Sequence, residues 1–400
     1  MASSASSATP GIFDRETWGY HTPVIPPESI IRPAQFSLAP EAITGNLLLA
    51  ILIAAVMGLS GVILRRLITA DELFMKHIFG RLPFQALLTL VILWLLHRMI
   101  PAAVAQGFSD MSSVSLLRIP VYAFVFFLVV GTSNYLFNTW ISAEGVRLQG
   151  QIFGQSGMDE KLWLLVPVVA AYGIVGAHIN PEFSLFPGRE LGIVLIATLS
   201  IIVSVCVKDF VLYGIARSWK MPGWFKANIS GFAIAVVCIA LSRWFALTPG
   251  YIYGIPLGLA LASSLSRQRE GLFEFLGMTW LLVLTLIVWV AGTFSGAYPV
   301  LTDLMNLLFV ILAEEAFFSM LPIPALAGGS IFHWKKSLWT LQFVAVVFFL
   351  FHTLFNPEGT VMNLAESPPT ASALMLIGCF AAGVFLLWGY YSIHRSRLFK

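Results

Sequence analysis

Charge is what this 400-residue chain has least of: 11% of its residues are Asp, Glu, Lys or Arg, where a soluble domain carries about a quarter. With 58% of the chain hydrophobic, that shortage rules out an ordinary water-soluble surface. Cysteine is scarce too. Cys206, Cys238 and Cys379 each sit inside an apolar run, without the paired spacing of a zinc site or disulfide framework, and are read as packing residues. No metal or cofactor is expected. The net charge of +3 is divided among short loops, which leaves no basic stripe for nucleic acid. Also missing are the H-E-x-x-H, G-x-S-x-G and G-x-x-x-x-G-K-[ST] signatures of soluble enzymes, so any catalysis is intramembrane.

What remains is a lipid-embedded chain. Residues 1–45, rich in Ser, Ala and Pro, lack a basic stretch followed by an apolar core and are not read as a cleavable signal peptide. They are expected to form a mostly disordered extracytoplasmic tail, with Phe13, Trp18, Tyr20 and Phe36 available to the membrane surface or to the body of the protein. Residues 46–400 form the membrane domain.

Eleven segments approach the ~20 residues that ~30 Å of hydrocarbon requires. They run approximately 46–64, 82–100, 119–139, 162–178, 191–216, 227–246, 249–265, 272–294, 299–321, 338–356 and 371–391. Gln85 interrupts the second and Pro256 the seventh. Assigning alternate loops to opposite sides puts about sixteen Lys and Arg on one side and about six on the other. The fold class is therefore an all-α polytopic bundle in a cell membrane, N-terminus outside and C-terminus cytoplasmic.

The stretch from Pro299 to Asn356 holds the costliest residues. Glu314 and Glu315 are adjacent within an apolar run, where each charge costs roughly 2.5–3.5 kcal/mol on insertion scales. The run stops at Pro322-Ile323-Pro324, turns through Gly328-Gly329 and resumes after Lys335, Lys336 and Trp339, ending with His352 and Asn356. Lys208 and Asp209, adjacent in the fifth span, cannot face each other, so at least one needs a partner from another helix. Lys208 and Glu314 lie roughly 14 and 12 Å from the cytoplasmic face at 1.5 Å per residue, so a buried pair between Lys208 and Glu314 or Glu315 is expected. His352 lies roughly 22 Å from that face, too far to share a metal with Glu314 without tilt or unwinding. Asn134 and Asn138, one turn apart, are read as hydrogen-bonding a neighbouring helix. Arg243, Asp303 and His178 are placed near the outer surface.

Glu314-Glu315 followed by Phe348-x-x-x-His352 resembles the first two motifs of the glutamate-dependent CAAX-type intramembrane endopeptidases, with Ser319 where their arginine stands. That resemblance implies that Glu314, Glu315 and His352 activate water. Ser319-Met-Leu-Pro322-Ile-Pro324-Ala-Leu326-Ala327-Gly328 is similar to a stretch of site-2 proteases, with Ala327 in place of their aspartate. A broader likeness, from about Thr44 to about Ser396, rests on Ser242-Arg243, on Pro249-Gly-Tyr-Ile-Tyr-Gly254, on Glu314 leading into Phe318-Ser-Met-Leu-Pro322, on Trp334 and Trp339, on Phe349-Leu-Phe-His352 and on Asn356-Pro357. Trp388-Gly-Tyr390 adds to it. On these residues the chain resembles the actinobacterial FGLLP-motif polytopic membrane proteins, a bacterial family for which the likeness implies fold and topology and supplies no catalytic residue. Three function classes follow: a non-enzymatic envelope scaffold or assembly protein with a membrane-protein partner, preferred; a transporter or flippase with a charge-lined path; and an intramembrane protease.

Overall fold

The computed structural model describes residues 12–25, 30–70, 165–178, 191–227, 257–261, 265–323 and 326–356, with isolated positions between 235 and 239 and between 374 and 393. Expected spans 82–100 and 119–139, with Asn134, Asn138 and Arg243, lie outside the described residues.

The described chain is overwhelmingly helical. In chain order it comprises α1 (Pro40–Ala70), α2 (Leu165–Ala177), α3 (Leu191–Ser218), the short strands β1 (Gly223–Ala227) and β2 (Leu257–Leu261), α4 (Arg267–Ala291), α5 (Pro299–Ser319), α6 (Ala327–Trp334) and α7 (Lys336–Leu350). A 3-10 turn at Gly292–Ser295 ends α4, and a π-helical turn at Phe351–Phe355 extends α7. Among the described residues four helices are long and apolar enough to cross a membrane: Pro40–Arg66, Leu191–Ser218, Arg267–Ser295 and Lys336–Phe355. They coincide with four of the expected spans. Their outward faces carry Leu48, Leu52, Leu195, Leu199, Ile287 and Leu341, all exposed, as contact with lipid requires.

Helix α5 is the hub. Pro299 at its first turn has no N–H to leave unpaired, and the Pro322 turn stops the helix after 21 residues. It is buried along nearly its whole length and packs on α3, α4 and α7. Three carboxylates, Asp303, Glu314 and Glu315, set it apart from the four lipid-compatible helices. At the far end Trp339 Nε1 donates to Met320 O at 2.8 Å, and the Trp339 ring stacks on Phe343 with centroids 4.9 Å apart. The Pro322 turn is thereby clamped onto the start of α7.

The end where α5 begins is the upper end here, and the Pro322 turn is the lower. Asn46 meets the π turn above while Gly61 lies against Pro322 below, so α1 descends. Helix α3 descends beside it, from Gly192 near the top to Lys208 beside Glu315, and α4 and α7 ascend.

The structure corrects the sequence reading in three places. The seventh expected span is not helical over Leu257–Leu261, which pairs antiparallel with Gly223–Ala227. Pro256 lacks the N–H that would continue a helix, and the ladder supplies the backbone partners instead. The first helix begins at Pro40 rather than 46, with Glu41 in the first turn where the helix dipole favours an acid. The third correction is the tail, which is ordered over residues 12–25 and 30–39 and buries Tyr20, Val24, Ile25 and Ile30 among the helices.

Candidate functional site

Two polar centres occupy the ends of α5. The upper one is built by the tail, which crosses the mouth of the bundle as a strap. Its Phe13 carbonyl accepts from Val300 N at 3.0 Å, satisfying one of the orphan donors of the first turn of α5. Arg15 grips Asp303 with two nitrogens, at 2.8 and 3.1 Å, and the Tyr20 hydroxyl donates to Asp303 Oδ2 at 2.9 Å. A bidentate guanidinium and a phenol on one carboxylate make a strong, directional contact. The hydrogen bond to Asp303 raises the Arg15 pKa above its ordinary value. Burial, then the Asp303 charge, pushes the Tyr20 phenol well above its own. A Cβ on Gly192 would come within 2.3 Å of Trp18 O and 2.8 Å of Tyr20 Cδ1, so glycine there lets the strap touch the top of α3.

Farther along, Ile31 N donates to Thr353 O at 2.9 Å and Trp289 Nε1 to Ile31 O at 2.7 Å, sewing the strap to α7 and α4. The Arg32 guanidinium donates to Asn306 on α5, and burial holds its pKa below the usual arginine value. Phe36 packs on Trp289 and on the His352 ring, 4.2 Å between the latter centroids. Asp303, expected near the outer surface, is thus fully buried under the strap, because Arg15 brings the neutralising charge to it.

His352 belongs to this centre. Asn46 Nδ2 donates to its Nδ1 at 2.9 Å and to Asn356 O at 2.7 Å, while Asn356 Nδ2 donates to Asn46 Oδ1 at 3.0 Å. With Nδ1 accepting, the other ring nitrogen carries the hydrogen, and Nε2 donates to Ser37 O at 2.9 Å. Both imidazole nitrogens are committed. His178, placed near an end as expected, closes its own helix through Nδ1 and Ile174 O at 2.7 Å.

The lower centre lies where α3, α4 and α5 meet. Lys208 Nζ donates to Glu315 Oε1 in a buried ion pair linking α3 to α5. Asp209, 3% exposed, lies within electrostatic reach of Lys208 and Glu315, and Glu274 on α4 within reach of Lys208 and Asp209. Glu314, one residue before Glu315 and about 100° around the helix, is buried on a different side of α5. Among the described residues no group of three or more His, Cys, Asp or Glu is placed to hold a metal ion.

The structure therefore brings together Lys208, Asp209 and Glu315 at one end and His352 and Asn356 at the other. Asn46, Asp303, Asn306 and the strap residues Arg15, Tyr20 and Arg32 complete the upper centre without having been singled out as site residues from sequence. The available signal was two arginines among aromatic residues in a weakly charged tail, facing an acid near the start of a buried helix. Comparison with family models, with curated proteins and with solved structures finds no match to this chain.

Proposed function

We propose that the chain is a multi-pass cell-membrane protein of the FGLLP-motif kind, acting as a non-enzymatic scaffold or assembly protein of a bacterial envelope. In this reading the upper end is extracytoplasmic, the Pro322 turn is cytoplasmic, and the chain crosses the bilayer several times. The observation that carries it is the commitment of His352: both ring nitrogens are engaged by Asn46 and Ser37 in joining α1, the π turn and the strap. A water-activating histidine needs a free nitrogen facing the Glu314 carboxylate, whereas this one spends both on structure. Polar groups used as interhelical glue, with small residues at close contacts, are what a rigid membrane scaffold requires.

Photo-crosslinkers at the lipid-facing positions Leu195, Ile287 and Leu341 in native membranes test this. A defined membrane-protein partner at near-stoichiometric yield is expected, undiminished by Glu314→Gln. Crosslinking to lipid alone, with a cleaved membrane substrate that disappears in Glu314→Gln, sinks the scaffold reading. Topology is checked by labelling single-cysteine variants in a cysteine-free background with an impermeant reagent. Positions 28, 299 and 358 should react from outside intact cells, and 76, 220, 335 and 397 should not.

A second reading, a transporter or flippase, is favoured by one observation, the concentration of carboxylates around Lys208 in the bundle interior. Movement of an ion or lipid across reconstituted vesicles, abolished by Lys208→Met, would move the assignment there.

A further inference from the structure

The lower centre holds more acid than base. Lys208 is spent on Glu315, yet Asp209 and Glu274 stand in the same field on α3 and α4. Asp209 Oδ2 is buried from solvent and has no hydrogen-bond partner among the described residues. An ionised carboxylate with a bare oxygen, in an interior whose cation is already engaged, costs several kcal/mol, and a bound proton removes that cost. Within the cluster Glu315 has its lysine, and Asp209 keeps a buried oxygen without a hydrogen-bond partner among the described residues, which makes Asp209 the group that gains most from a proton. A Cβ on Gly277 would sit 2.7 Å from Leu212 Cδ2, so α3 and α4 are in close contact one turn below Asp209 and one turn above Glu274.

We propose that Lys208, Asp209, Glu274 and Glu315 form a proton-binding site at the junction of α3, α4 and α5, with Asp209 carrying an exchangeable proton. This goes beyond the scaffold reading and does not depend on it. The other ionisable groups on the described elements packed against α3 are Asp303 and Glu314 on α5, Arg267, Arg269 and Glu270 below Glu274 on α4, Tyr172 on α2, Lys226 of the ladder and Glu16 of the strap. When the proton leaves Asp209 for water, the new charge repels the Glu315 carboxylate whose field it shares. That repulsion loosens the α3 to α5 bridge, so the proton governs how firmly the two helices are coupled.

The test is infrared difference spectroscopy on the purified full chain in vesicles, stepped from acidic to alkaline pH. The wild type should lose the carbonyl stretch of a protonated carboxylic acid. That band should be missing from Asp209→Asn, shifted in Asp209→Glu and retained in Glu274→Gln. Asp209→Asn should also fold and melt like the wild type at the acidic end of the step, since an amide mimics the protonated acid, while Glu315→Gln melts earlier because it strands Lys208. A wild type without the acid band, a band that survives in Asp209→Asn, or an Asp209→Asn protein that is as unstable as Glu315→Gln or fails to fold would each overturn the proposal.

Discussion

Cutting the strap from its anchor gives a sharp test of the upper centre. In Arg15→Met the buried Asp303 keeps only the Tyr20 hydroxyl and loses two charge-assisted hydrogen bonds. Breaking a fully buried pair costs about 3–5 kcal/mol. The Arg15 side chain is 24% exposed against 1% for Asp303, so solvent discounts the loss to roughly 2–3 kcal/mol. The reverse change, Asp303→Asn, removes the charge and leaves Arg15 able to turn toward water, for a smaller loss of about 1–2 kcal/mol. Combining the two removes both charges, and the pair should recover about 1–2 kcal/mol relative to the sum of the single variants. The assay is thermal unfolding in detergent together with limited proteolysis of the strap, which should be cut faster in Arg15→Met than in the double variant. Single changes that add within about 0.5 kcal/mol, or an Arg15→Met strap as protected as the wild type, would show that the contact does not hold the strap down.

Tyr20 makes the same anchor sensitive to alkali. Its phenol pKa is raised by folding, so its contribution is fully present below the ordinary value of ~10 and is lost as pH rises beyond it; Tyr20→Phe should flatten the alkaline limb of the stability profile. His333 behaves in the opposite sense. Burial and then the Arg65 and Arg267 charges lower its pKa, so stability should decline as pH falls below ~6.5, and His333→Gln should remove that acid slope. Gly192→Leu drives a side chain into Trp18 and Tyr20, and should raise strap proteolysis while leaving the membrane helices folded by circular dichroism. His352→Ala strands one N–H of Asn46 Nδ2 and the Ser37 carbonyl, and about 2–3 kcal/mol of thermal stability should go with them.

Composition and hydropathy were enough to determine the class of molecule, because lipid tolerates only long apolar helices or closed barrels and leaves a one-dimensional record of them. The helices at 191–216, 272–294 and 338–356 could be read to within a few residues for that reason. So could the meeting of Lys208 and Glu315, since depth along a helix is linear in sequence and an unpaired interior charge must find its opposite at the same depth. Depth carries no information about azimuth. Which of Glu314 and Glu315 faces Lys208, and that Glu274 shares the field, was decided only when α3, α4 and α5 packed. The strap was the larger surprise: a Ser- and Pro-rich tail has no periodicity, and nothing local in Arg15 points to an acid 288 residues away, nor in Tyr20 to the same acid 283 residues away. Its order comes from α5, whose first-turn N–H groups and buried Asp303 need partners that only a segment folded back across the upper end supplies.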